Sequence, residues 1–226
     1  MKVLISAAFA IALGAAAPSS AATLIFDLKI DGSSSGLGGT NFGTVSVTEN
    51  AGSLVITEQL KSGYAIHKTT ASNHQALVFS LVNDPAISIK NISTASIVRA
   101  ATVDNRNRPI TYTAPGISGS FDYGLSCTGC GNGVNSTLTQ YSFTVSSSSG
   151  ALTLNSLAYN VFNGSKVYFA SDLINKSSGV TGNVGAVLRS NVGSVPEPAS
   201  WAMMIAGFGA VGTVLRRQRK MELTFG

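Results

Sequence analysis

An uncharged apolar segment near the C-terminus constrains the chain more than any other feature. Residues 198–215 are 18 positions without a charge, and as a helix they would span about 27 Å at ~1.5 Å per residue. The hydrocarbon core of a bilayer is about 30 Å thick, so this segment predicts one membrane-spanning helix. Trp201 stands where an interfacial aromatic residue is expected. A basic cluster follows, which should stay in the cytoplasm: Arg216, Arg217, Arg219 and Lys220.

The N-terminus has the organisation of a secretion signal. Lys2 provides a positive charge, residues 3–17 are apolar, and Ser20-Ala21-Ala22 fits a small-x-small cleavage site. We therefore predict cleavage between Ala22 and Thr23, and export of the chain that follows. The predicted organisation is a signal peptide (1–22), an ectodomain (23–188), a linker (189–195), a sorting and anchor segment (196–220) and a cytoplasmic tail (221–226).

The C-terminal segment has a recognisable order of short motifs. Pro196-Glu197-Pro198 is followed by Trp201-Ala-Met-Met204, by Gly207-Phe-Gly209 and by an arginine-rich end. This order resembles the PEP-CTERM sorting signal, and more narrowly its variant in alphaproteobacteria such as sphingomonads. The resemblance implies that an exosortase, a membrane enzyme similar to cysteine transpeptidases, recognises Pro196, Glu197 and Pro198 and processes the segment.

The same resemblance implies a location and a set of partners. The chain is expected to be anchored in the inner membrane before processing, and then to reach the cell surface or the extracellular matrix. The expected partners are the exosortase, the membrane and an extracellular polysaccharide, with a link to exopolysaccharide and biofilm formation.

The exported segment is unusually poor in charge. Residues 23–195 hold ten Lys/Arg and eight Asp/Glu among 173 positions, well below the roughly one quarter that is typical of soluble proteins. Ser, Thr, Asn and Gly carry the solubility instead. The segment has no basic patch of the kind that nucleic acid requires, so nucleic-acid binding is not expected. Its length is sufficient to bury the core of one domain.

Short alternating segments predict an all-β ectodomain. Apolar residues recur with a period of two, and turns rich in Gly, Ser, Asn and Pro separate the segments. Strands are expected at 23–30, 42–48, 53–60, 75–82, 86–92, 96–103, 119–125, 138–145, 151–161 and 166–170, with a last glycine-punctuated strand before residue 188. The pattern predicts a single β-sandwich or jelly-roll-like domain.

The two cysteines predict a small structural disulfide. Cys127 and Cys130 lie in a glycine-rich loop between predicted strands. A disulfide is the default in an exported chain, whereas a redox CxxC is expected to open a helix. A metal or redox role and unpaired thiols are the alternatives. The two histidines, His67 and His74, have no familiar zinc spacing to this pair, so no metal and no cofactor is expected.

The sequence predicts no catalytic residue. No serine has a Gly-x-Ser-x-Gly setting, and scattered acids neither show nor exclude the paired carboxylates of a glycosidase. The first hypothesis is therefore a non-enzymatic protein of the extracellular matrix. The alternatives are a carbohydrate-binding or adhesive module and a secreted hydrolase. An aromatic strip for the binding module could come from Tyr112, Tyr123, Tyr141, Tyr159 or Tyr168.

Overall fold

The chain forms a β-domain in the part that the computed structural model describes. That part comprises residues 21–33, 36–67, 75–99, 111–190, 204–205 and 207–208. Two 3₁₀ turns lie at Gly133–Asn135 and Leu154–Ser156. The strands are β1 (Thr23–Asp31), β2 (Gly43–Asn50), β3 (Ser53–Leu60), β4 (Tyr64–Ile66), β5 (Leu77–Leu81), β6 (Ile87–Lys90), β7 (Ile97–Arg99), β8 (Tyr112–Ala114), β9 (Ile117–Phe121), β10 (Tyr123–Cys127), β11 (Gln140–Ser147), β12 (Leu157–Ala158), β13 (Asn160–Phe162), β14 (Ser165–Asn175) and β15 (Thr181–Leu188).

The all-β prediction is confirmed, and several strands differ in extent from the prediction. The expected strand at 119–125 is divided at Asp122 into β9 and β10, and the one at 151–161 becomes a 3₁₀ turn followed by β12 and β13. The strand expected at 166–170 extends to Asn175 as β14, and the glycine-punctuated strand is β15. The short strand β4 was not predicted. Strand β8 lies within residues 104–116, whose sequence fits either a polar loop or an extended edge. Residues 100–103 of another expected strand lie outside the described residues.

Thirteen of the strands form one continuous antiparallel sheet. Its order is β6-β11-β3-β2-β1-β15-β14-β5-β10-β7, with β12 attached to β5, and β4 and β13 attached to β14. Strands β2 and β3 alternate buried and half-buried residues, because one face of each packs on the core. Strands β8 and β9 form a separate hairpin.

The long sheet folds over on itself to make the predicted sandwich. Phe79 on β5 and Phe143 on β11 lie with ring centroids 6.1 Å apart, although five strands separate β5 from β11 along the sheet. Phe169 on β14 packs against both Phe79 and Phe26, at 6.1 and 5.1 Å. These aromatic rings occupy the main core, so the two layers come from one sheet rather than from two.

A second, smaller core lies on the outer face of the sheet. The hairpin β8–β9 contributes Tyr112, Ile117 and Phe121, which pack with Val167 and Ala170 of β14. A tight turn joins the two hairpin strands at Gly116, whose φ is +82°. A side chain at Gly116 would overlap the backbone of Gly32. The central strand β14 is therefore covered on both faces.

The ends of the chain are described only in part. Thr23 opens β1, and the carbonyl of Ala22 accepts a hydrogen bond from the Glu49 amide at 3.0 Å. The rest of the predicted signal peptide, the linker from residue 191, and most of the predicted anchor lie outside the described residues. Residues 204–205 and 207–208 are helical. Within the described residues, no helix has the length and hydropathy needed to traverse a bilayer.

Candidate functional site

A carboxylic acid lies in the main core. Glu58 on β3 is directly opposite Tyr141 on β11, and both side chains are buried. Within the described residues, neither carboxylate oxygen of Glu58 nor the Tyr141 hydroxyl has a hydrogen-bond partner of normal geometry. The hydroxyl of Ser171 is close to Glu58 but donates to the Ala76 carbonyl at 2.6 Å.

Burial determines the charge state of this group. Desolvation raises the pKa of Glu58 from 4.5 to about 7, an effect that the nearby Ser171 and Tyr141 hydroxyls oppose only in part. Burial also raises the pKa of Tyr141 well above 10, and the adjacent Glu58 raises it further. Because both side chains are buried, the protonation state of Glu58 affects the stability of the domain.

A histidine and an aspartate meet at the junction of β4 and β14. His67 Nδ1 is 3.3 Å from Asp172 Oδ2, with the aspartate 1% and the histidine 30% exposed. The His67 amide donates to the Asp172 carbonyl at 2.9 Å, and the Asp172 amide donates to the Gln75 carbonyl at 3.3 Å. The backbone of Asp172 therefore holds both residues that flank the segment 68–74.

The pair has a limited chemistry by itself. An aspartate on Nδ1 orients an imidazole and leaves Nε2 to accept or donate a proton, but nucleophilic catalysis needs a third group. Among the described residues, no three His, Cys, Asp or Glu side chains converge as a metal site. Sequence reasoning missed the pair because its members are 105 positions apart. His74 lies outside the described residues.

The predicted cysteine pair lies at the end of β10. Cys127 and Cys130 are joined by a disulfide, with their Cα atoms 5.8 Å apart and both residues fully buried. The Thr137 amide donates to the Cys130 carbonyl at 3.2 Å, and the Thr128 amide donates to the Ser96 carbonyl at 2.9 Å. Backbone hydrogen bonds thus hold the loop on two sides, and the disulfide is buried within it.

The five tyrosines considered for a ligand surface do not form one strip. Tyr112, Tyr123 and Tyr141 are buried, and the Tyr123 hydroxyl donates to the Pro85 carbonyl. Tyr159 is exposed and packs against Tyr168, with ring centroids 5.4 Å apart. Of these five tyrosines, Tyr159 and Tyr168 are therefore the two that an aromatic surface could include.

A neutral cleft lies where the ends of β5 and β11 approach the segment before β12. Its volume is about 310 Å³. None of its lining side chains is charged. Its polar lining comes from Asn83, Ser147, Ser149 and Ser156, and its apolar lining includes Val82 and Leu152. Asn83 adopts a φ of +64° in the turn that leaves β5. The cleft offers hydroxyl and amide groups beside a small apolar surface.

Comparison with known proteins bears on the C-terminal segment. The model of a family described as the PEP-CTERM protein-sorting motif matches residues 194–220. The chain carries a PEP-CTERM sorting motif. No curated protein and no solved structure matches the chain. The resemblance noted in the sequence is thereby confirmed for the motif, and the narrower sphingomonad variant stays a prediction.

The PEP-CTERM motif implies an exported protein that an exosortase processes at the membrane. The match begins two positions before Pro196 and ends at Lys220, so it covers the whole predicted sorting and anchor segment. Its residues Pro196, Glu197, Pro198 and Trp201 lie outside the described residues, as does the basic cluster Arg216, Arg217, Arg219 and Lys220. Their roles stay predictions.

Proposed function

We propose that this chain is a non-enzymatic protein of the extracellular matrix that an exosortase sorts and that acts together with exopolysaccharide. The observation that carries the proposal is the PEP-CTERM motif at residues 194–220, which follows an all-β domain. The domain supports the proposal through its chemistry, since charged residues make up only 11% of the chain. A chain with few charges and many Ser, Thr and Asn residues suits contact with hydrated polysaccharide chains.

Sorting is tested by two changes in the full chain. One variant lacks residues 196–226; the other keeps the apolar segment and replaces Pro196, Glu197 and Pro198 by alanine. We expect both variants to be missing from the cell-surface fraction. The triple-alanine variant should accumulate in the membrane with its original C-terminus, because it keeps the apolar span. Unchanged localisation of either variant would refute the role of the motif.

The intact mass of the native protein gives the second measurement. A chain that begins at Thr23 and ends near Pro196 to Pro198 is expected in the matrix fraction. A chain that ends at Gly226 and occurs only in membranes would refute processing. An added mass of repeating sugar units at the new C-terminus would indicate direct attachment to the polymer.

The neutral cleft favours a second candidate, a carbohydrate-binding module. Pockets of about 300 Å³ are at the lower limit for small ligands, and hydroxyls beside Val82 and Leu152 resemble the mixed character of a sugar ring. We expect neutral oligosaccharides to bind, and Asn83→Leu with Ser149→Val to abolish that binding. Ser177→Val, on the exposed turn between β14 and β15, is the control. A glycan array without hits would refute this candidate.

A further inference from the structure

An exposed patch lies where the chain leaves the domain at the end of β15. We call it the exit patch, and its members are Tyr159, Val161, Lys166, Tyr168 and Leu188. Tyr159, Val161 and Leu188 are 45%, 61% and 42% exposed, and exposed apolar side chains that cluster rather than lie singly mark interaction surfaces. The patch therefore combines aromatic, aliphatic and cationic groups on neighbouring strands.

The register of the strands brings these residues together. Val161 on β13 pairs with Lys166 on β14, and Val167 on β14 pairs with Val187 on β15. Continued by one residue, the second pairing places Leu188 beside Lys166. Lys166 thus lies in a row between two exposed aliphatic side chains.

The aromatic members connect the patch to the main core. Lys166 Nζ lies 4.4 Å from the centroid of the Tyr159 ring. The Tyr159 ring packs on Tyr168 at 5.4 Å, and Tyr168 packs on the buried Phe26 at 5.0 Å. The surface is therefore held in place by packing and would not need to be ordered by a ligand.

The charge of the patch comes from Lys166. Arg189, the next residue along the chain, is paired with Asp27 through two hydrogen bonds of 3.0 and 2.6 Å from its Nε and Nη2 atoms. That ion pair contributes no net charge. The ammonium of Lys166 is left to attract an anionic surface.

The position of the patch along the chain favours a partner at the membrane surface. Only residues 189–195 separate Leu188 from the PEP-CTERM residues Pro196 to Pro198. Even fully extended, the eight steps from Leu188 to Pro196 span at most about 28 Å. Tyrosine and lysine favour the membrane–water interface, and lysine is attracted to anionic lipid head groups. Val161 and Leu188 would enter the interface beside them.

We infer that the exit patch rests on an anionic lipid surface while the PEP-CTERM segment is held in the membrane. The inference depends on the proposed function for the membrane position of that segment. Polysaccharide fits the patch less well, because Lys166 already covers one face of the Tyr159 ring. A sugar would have to displace the ammonium before it could stack on that face.

The test compares two valine sites in the full chain. Val161→Cys places a fluorescent label in the patch. Val134→Cys places the same label at a second exposed valine, which is 48% exposed against 61% for Val161. Val134 lies next to Gly179, a residue of the turn at the far end of β14 and β15. The chain is reconstituted in vesicles of phosphatidylcholine with phosphatidylglycerol, and a quencher is attached to the lipid head groups. We expect quenching at position 161 to exceed that at 134 by about threefold.

Charge variants test the role of Lys166. Lys166→Glu should reduce the quenching at position 161 to that at 134, whereas Lys176→Glu, beside the far turn, should leave it unchanged. The excess at position 161 should also fall in vesicles of phosphatidylcholine alone. Circular dichroism checks that each variant keeps its β-sheet.

The sole tryptophan separates failure of the inference from failure of the proposed function. Trp201 lies in the predicted anchor, and a blue shift of its emission reports insertion. Insertion with equal quenching at positions 161 and 134 would overturn the inference and leave the proposed function standing. Lack of insertion would overturn both. Protection of the label by an anionic polysaccharide such as alginate, and not by vesicles, would make the patch a glycan site and also overturn the inference.

Discussion

Glu58 makes the stability of this domain depend on pH. Its side chain is fully buried, and its pKa rises from 4.5 to about 7 on folding because the carboxylate loses its hydration. A difference of this size corresponds to about 3 kcal/mol at ~1.4 kcal/mol per pH unit. That is a large fraction of the 5–15 kcal/mol by which native domains are typically stable.

The sign follows from which state holds the proton. Below pH 4.5 the carboxyl is protonated in both states, and the full stability is present. Between pH 4.5 and about 7 the unfolded chain releases the proton while the folded domain retains it, so the free energy of unfolding falls as the pH rises. Above this range Glu58 has no further effect, and about 3 kcal/mol has been lost.

Urea denaturation of the purified chain at several pH values measures the effect. Near-UV circular dichroism is the suitable signal, because the one tryptophan, Trp201, lies in the predicted anchor and would not report on the domain. Glu58→Gln keeps the volume of the side chain and removes its titration. The free energy of unfolding of this variant should therefore lack the fall between pH 4.5 and about 7 that the unmodified chain shows.

A composition-matched variant controls for net charge. Gln59 is the exposed neighbour of Glu58 on β3, and Glu58→Gln with Gln59→Glu moves the carboxylate to the solvent face. This double variant should behave like Glu58→Gln, because an exposed carboxylate titrates alike in both states. The reasoning is refuted if the double variant retains the pH dependence of the unmodified chain, or if the unmodified chain shows none.

Three further outcomes are expected. Replacing Cys127 and Cys130 by serine should lower the free energy of unfolding by about 2 kcal/mol or less, because the closed loop is short; thermal denaturation with and without reductant measures this, and loss of folding would contradict it. Gly116→Ala should destabilise the domain by at least about 2 kcal/mol, since its positive φ and the adjacent Gly32 leave no room for a methyl group; an unchanged melting temperature would contradict it. Residues 190–226 grafted onto an unrelated exported domain should direct it to the cell surface, as fractionation would show, and failure of the graft would mean that sorting also needs the β-domain.

The sequence predicted best those strands that have one face on the core. Residues 53–60 alternate, and β3 has the same bounds as the prediction. Strand β14 was predicted too short because it is buried on both faces, by the main core and by the hairpin β8–β9, so its residues do not alternate in polarity. The turn after it is local in origin, since the Asn175 side chain accepts hydrogen bonds from the amides of Ser177 and Ser178.

The candidate sites divide in the same way. The PEP-CTERM motif could be recognised because a contiguous sequence carries it. The two polar pairs could not be recognised, because each joins strands that are neighbours in the sheet but distant in sequence. Glu58 meets Tyr141 through the pairing of β3 with β11, and His67 meets Asp172 where β4 meets β14. The alternation of β3 puts Glu58 on the same face as Leu54 and Ile56, but nothing in the local sequence shows that it meets Tyr141 there, since that contact depends on the register between β3 and β11.

The two kinds of site also impose different demands on the chain. A contiguous motif carries all of its recognition residues in one short segment, so we expect changes in the β-strands to affect it little. The buried pair depends on the exact register of β3 and β11, and a carboxyl in the core lowers stability compared with an apolar residue of the same volume. Sorting and domain stability should therefore respond to separate sets of substitutions. A variant such as Glu58→Gln should alter denaturation without altering sorting through the PEP-CTERM motif.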